Sequence, residues 1–142
     1  MRRNISLGVL LALPFAVSGA ESVHHGIMPL KDALFTQDDD VKCLQDAVEN
    51  GDPATGASTF LLKAAAGCRV RAHYHTAEEQ LIVIRGSVST GMKGMPSVAL
   101  TAGGFAAMPS KAVHWFSCTG PASCLIVVTF DRKYDITWID SE

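Results

Sequence analysis

Apolar residues in this chain come in short bursts separated by Gly, Pro, Asn and Asp, and very little of it has helical periodicity. The bursts fall at residues 58–62, 68–75, 80–84, 87–90, 98–100, 105–108, 112–118 and 123–130, with a last one at 134–139. Asn50-Gly51-Asp52-Pro53, Gly103-Gly104 and Thr119-Gly120-Pro121-Ala122 punctuate them as turns, and 91–96 reads as a hairpin loop. Many short strands with such turns predict an all-β sandwich or barrel. Residues 41–48 alternate weakly and read as an edge strand, while 36–40 reads as an acidic turn. Two runs, Leu81-Ile82-Val83-Ile84 and Leu125-Ile126-Val127-Val128, do not alternate with polar residues. A strand with one wet face should alternate, so both faces of these strands are expected to be covered. The cover would be the N-terminal arm, a second subunit or both, which makes a homodimer the expected state.

The first residues have a different pattern. Met1-Arg2-Arg3 is basic, 5–17 is apolar around Pro14, and Ser18-Gly19-Ala20 supplies small residues before Glu21. This is the pattern of a secretory signal peptide over 1–20, cleaved after Ala20. As a membrane anchor the stretch is shorter than the ~20 residues of a span. The product would be periplasmic or secreted and no longer attached to the membrane. Residues 21–51 would form an arm and edge strand, and 52–142 one domain.

The chain has 12 Lys and Arg against 14 Asp and Glu, and losing Arg2 and Arg3 with the leader takes the net charge from −2 to about −4. No run or stripe of basic residues offers a nucleic-acid surface. Four cysteines, Cys43, Cys68, Cys118 and Cys124, form an even set that suits disulfides in an exported chain. Cys118 and Cys124 flank a short Gly-Pro turn and are expected to pair across it, leaving Cys43 with Cys68. Free buried thiols are the alternative, and no Cys-x2-Cys spacing supports a zinc site.

The chemistry is concentrated between Gly67 and Gly86. His73 and His75 are two apart, so a strand would put both on one face. Glu79 follows after a break that can hold a turn, at the start of the apolar run 81–84. Two imidazoles and a carboxylate facing one point form most of a metal site. Glu78 is the neighbouring alternative. Arg69 and Arg71 share the parity of the histidines, so Arg71 is a candidate for binding an anionic substrate at the mouth of the site, or else a solvated rim residue. Phe60, Met108 and Phe116 are candidate pocket walls. No Gly-x-Ser-x-Gly, phosphate loop or dinucleotide fingerprint stands among the strands.

The spacing Gly67, five residues, His73, one, His75, three, Glu79, six, Gly86 resembles the first motif of the cupin family without a gap. Gly103, Pro109 and His114 fit the second motif, with Lys111 in place of a glycine and Cys118 in place of an asparagine. The resemblance spans roughly 52–139 and implies a double-stranded β-helix, or jelly roll. It also implies that His114 joins His73, His75 and Glu79 around one divalent ion, with Fe, Mn, Zn, Ni, Co or Cu all suited to the donor set. The chain looks most like small exported single-domain cupins related to the metal-binding lobe of anti-sigma regulators. Two functions are expected from this: a metal-dependent, oxygenase-like enzyme on a small organic molecule, or a non-catalytic periplasmic protein that binds metal or a small ligand.

Overall fold

The structure is a computed structural model and describes residues 26–139. The expected signal peptide and the proposed start at Glu21 lie outside the described residues. Eleven strands follow one another: β1 (Thr36–Gln37), β2 (Leu44–Gly51), β3 (Ser58–Ala64), β4 (Arg69–Tyr74), β5 (Glu79–Arg85), β6 (Val88–Met92), β7 (Val98–Leu100), β8 (Phe105–Met108), β9 (His114–Cys118), β10 (Cys124–Phe130) and β11 (Thr137–Trp138). They form two antiparallel sheets, ordered β1-β2-β3-β10-β5-β8 and β11-β4-β9-β6-β7. Neighbours such as β3 and β10, or β4 and β9, are distant in sequence, and the two sheets face each other as the halves of a jelly-roll barrel.

The core lies between the sheets. Leu81, Val83, Val88, Ile126 and Val128 are buried there with Phe116 and Phe130, and each large apolar side chain contributes on the order of 1.5–3 kcal/mol by leaving water. β5 and β10 are neighbours in one sheet. In β5 the burial alternates, however, and Ile82 and Ile84 remain 40% and 47% exposed. The described part of the arm, from residue 26 on, does not cover them. Its strand β1 pairs with Gln45 and Asp46 of β2, at the other end of the same sheet. The edge strand expected at 41–48 is displaced accordingly: β1 is the edge, and 38–43 turns the chain into β2.

Two disulfides are present, Cys43–Cys68 and Cys118–Cys124, with Cα separations of 5.4 and 5.8 Å. Cys118 ends β9 and Cys124 begins β10, and these strands lie in different sheets. The bond therefore spans an arch from sheet to sheet and does not cross a paired hairpin. Gly86 packs against this arch: a Cβ on it would lie 2.9 Å from Cys124 Sγ and 3.0 Å from Cys124 Cα. Lys111, in the place of a motif glycine, takes the left-handed φ of 63° that glycine would have supplied. Its N–H donates to the His75 carbonyl at 2.8 Å, which holds the turn beside the site.

Candidate functional site

Three elements bring the four site residues together. His73 lies near the end of β4 and His75 just past it, Glu79 starts β5, and His114 starts β9 directly opposite His73. All four are buried, and each offers a ligand atom within 4.8 Å of the others. Glu79 Oε2 is 3.1 Å from His75 Nε2 and 3.0 Å from His114 Nε2. The His73 ring lies 4.2 Å from that of His114, centroid to centroid. Both disulfides lie at the other end of β4 and β9, so the crosslinks and the cluster are separate.

The outer nitrogen of each imidazole meets a backbone carbonyl. His73 Nδ1–H donates to Arg71 at 2.7 Å, His114 Nδ1–H to Ala112 at 2.8 Å, and His75 Nδ1–H to Asp135. A carbonyl only accepts, so the proton of each neutral ring is on Nδ1 and the lone pair on Nε2. Metal-binding histidines are oriented by the same kind of partner. Without a cation between them, the Nε2 lone pairs of His75 and His114 would face an ionised carboxylate, acceptor against acceptor. Either protons or a metal ion must lie there. With protons alone, burial would raise Glu79, but hydrogen bonds from His114 and His75 outweigh it and bring the carboxyl down to about 2. Burial likewise works against a charge on His114, yet its bond to Glu79 leaves it raised. His73 lacks such a bond, and burial pushes it down to about 4. The donor set fits a divalent ion: three preoriented imidazoles, one carboxylate and no thiolate.

A cavity of about 390 Å³ opens onto the cluster, with His73, His75 and Glu79 in its lining. Phe60 and Phe116 are among the lining residues. Met108 is not; it is buried in the core facing a smaller apolar hollow. Arg71 does not line it either. Val70 is buried and in the lining, because the register between β4 and β9 shifts between Val70 and His73. That irregularity breaks the two-residue alternation. Arg71 is exposed, and its guanidinium stacks 4.4 Å from the Trp138 ring. Glu78 is also exposed, and its N–H donates to Asp131. The strand pattern did not point to Phe130, Tyr134 and Trp138 as walls, nor to Asp38, Asp39, Asp40 and Asp46 in the lining. The acidic run 38–40 was visible only as a turn, and its approach to β11 is a tertiary contact: Trp138 Nε1–H donates to Asp40 Oδ2 at 3.2 Å.

Fold and cluster together define a jelly-roll barrel with a candidate His3Glu metal centre at the base of a partly aromatic cavity. Residues 60–130 match the sequence model of the Cupin domain, half of the chain, and the protein belongs to that family. No curated protein sequence matches it. Among solved structures it is similar to the polyketide cyclase RemF from Streptomyces resistomycificus (12% identity, TM-score 0.69, 84% of this chain and 88% of that one). It is also similar to an RmlC-like cupin from Shewanella frigidimarina (18% identity, TM-score 0.63, 76% and 90%). A third is the DMSP lyase DddQ from Ruegeria pomeroyi (17% identity, TM-score 0.66, 78% of this chain). The chain spans 64% of that lyase's length, and 53% of a chain from the structures of the DMSP lyases RdDddP and RnDddQII. At these identities the likeness is one of fold.

Proposed function

We propose that this cupin is an exported metal-dependent enzyme, oxygenase-like, acting on a small organic molecule. The observation that carries the reading is the joint one: a buried cluster with three preoriented Nε2 atoms and one carboxylate, exposed to a cavity on one side. His73, His75, Glu79 and His114 would hold a single divalent ion. Such an ion supplies Lewis acidity and open coordination positions. The chain's own residues do the rest. The three carbonyls of Arg71, Ala112 and Asp135 keep the imidazoles in the ligating tautomer. Phe60, Phe130 and Val128 shed water from the cavity. Burial, with the charges of Asp38 and Glu79, keeps the Tyr134 phenol protonated, so it remains a donor. The two disulfides suit an oxidising compartment and so support a periplasmic or secreted location.

The test begins with the metal content of protein recovered from the exported fraction, beside His75→Ala. One ion per chain, lost in the variant, is expected; unchanged metal in His75→Ala would sink the ligand set. Dioxygen uptake with catechols, diketones and flavonols after loading with ferrous ion then tests the reaction. A metal-loaded protein that turns over none of them would leave the binding-protein reading in place of the oxygenase.

A further inference from the structure

We propose that the cavity takes a small molecule with an organic cation, such as an ammonium or quaternary ammonium group, at the mouth and an oxygen donor toward the His/Glu cluster. This rests on the reading of the cavity as a small-molecule site and adds the charge of its ligand.

The cavity is charged unevenly. Asp38, Asp39 and Asp40, from the turn between β1 and β2, line it together with Asp46 of β2. No lysine or arginine is among the lining residues. None of these four carboxylates makes an ion pair among the described residues. Asp38 Oδ1 accepts from the N–H groups of Asp40 and Val41, and Asp40 Oδ2 from Trp138, so these two carboxylates are oriented by neutral donors. Asp46 lies close enough to its neighbours that burial and the charge of Asp38 raise its carboxyl.

The walls add a second preference. Phe60, Phe130 and Tyr134 pack ring against ring, with centroids 4.9 to 5.9 Å apart, and Trp138 completes the lining. Aromatic faces attract cations most strongly where water is excluded. At the floor, three neutral imidazoles and one carboxylate leave a bound divalent ion with a net charge of about +1, which favours an oxygen donor and repels a cation. An anion would be drawn to the floor but would share the cavity with four carboxylates. A molecule with positive charge outward and oxygen inward satisfies both ends. Arg71, which could have reversed this preference, is held outside the lining against Trp138.

The test compares choline with 3,3-dimethylbutan-1-ol, which replaces the quaternary nitrogen by carbon at the same shape. Both are titrated calorimetrically into the zinc-loaded full chain at low salt. Choline is expected to bind about tenfold or more tightly, from desolvated cation–aromatic and carboxylate attraction. The gap should narrow as salt rises, and in the Asp38→Asn/Asp46→Asn double variant. Equal affinities, a preference for the alcohol, or no choline binding would overturn the inference. Should the double variant fail to fold, the isostere comparison and its salt dependence decide. A chain that prefers choline but binds no zinc would overturn the metal reading alone. One that binds zinc without preferring choline overturns this inference alone.

Discussion

The number of protons that compete with the metal follows from the geometry of the three histidines. A metal takes an imidazole only in its neutral form, so each proton displaced on binding adds about one power of ten in affinity per pH unit. Three equivalent histidines would give a slope approaching three. The structure removes one of them. His73 is buried without a carboxylate partner and is pushed down to about 4, so it is already neutral throughout the range from pH 7.5 to 5. His114 differs: its bond to Glu79 holds its proton above the ordinary 6.5. At and below that pH an incoming ion must therefore displace that proton. With His73 neutral, at most two imidazoles compete, so the slope should stay below about two powers of ten per pH unit down to pH 5. Zinc affinity, measured by competition with a chromophoric chelator at half-unit pH steps, gives the slope directly. A slope near three would refute the depressed His73, and a flat profile would remove His114 from the site. Folding of the ion-free protein supplies a cross-check on signs. His73, depressed, withdraws on the order of 3 kcal/mol of stability as pH falls from 6.5 to about 4. The raised His114 contributes fully below 6.5, and its contribution is lost as pH rises through its folded value. Glu79, depressed, contributes above 4.5, and its contribution is lost as pH falls toward 2.

Gly86→Ala should cost more than about 2 kcal/mol in a denaturant titration, since a Cβ there meets the backbone of Cys124 at a left-handed φ of 92°; a neutral result would contradict the close packing of the arch. Cys43→Ala/Cys68→Ala should destabilise more than Cys118→Ala/Cys124→Ala, about 3.5 against about 2 kcal/mol from loop closure, because the separations are 25 and 6 residues. Melts of both variants test the order, and zinc affinity should survive in each that folds. Ile82→Glu should convert the expected homodimer into monomers by sedimentation, since Ile82 and Ile84 lie exposed on the outer sheet face; a parent protein that is monomeric at all concentrations would refute that use of the face.

The sequence alone carried the architecture and the four residues of the cluster, because both depend on local pattern. Gly/Pro punctuation and short apolar bursts mark strands wherever they lie. His73, His75 and Glu79 occupy one stretch whose spacing is itself the signal, and His114 keeps its interval from Pro109 in a second stretch. The turn between Cys118 and Cys124 is short enough to bring the two together whichever sheets they join. Tertiary structure decided what depends on departures from alternation or on distant contacts. The register shift between Val70 and His73 brings Val70 into the cavity and leaves Arg71 outside, which parity cannot anticipate. The carbonyl that orients His75 comes from Asp135, 60 residues away, and Asp40 meets Trp138 across 98. An acidic turn and an aromatic tail look like ordinary surface until the barrel closes. Closure then brings them to the cavity above the His/Glu cluster, so the charge of the cavity is a property of the fold and not of any one segment.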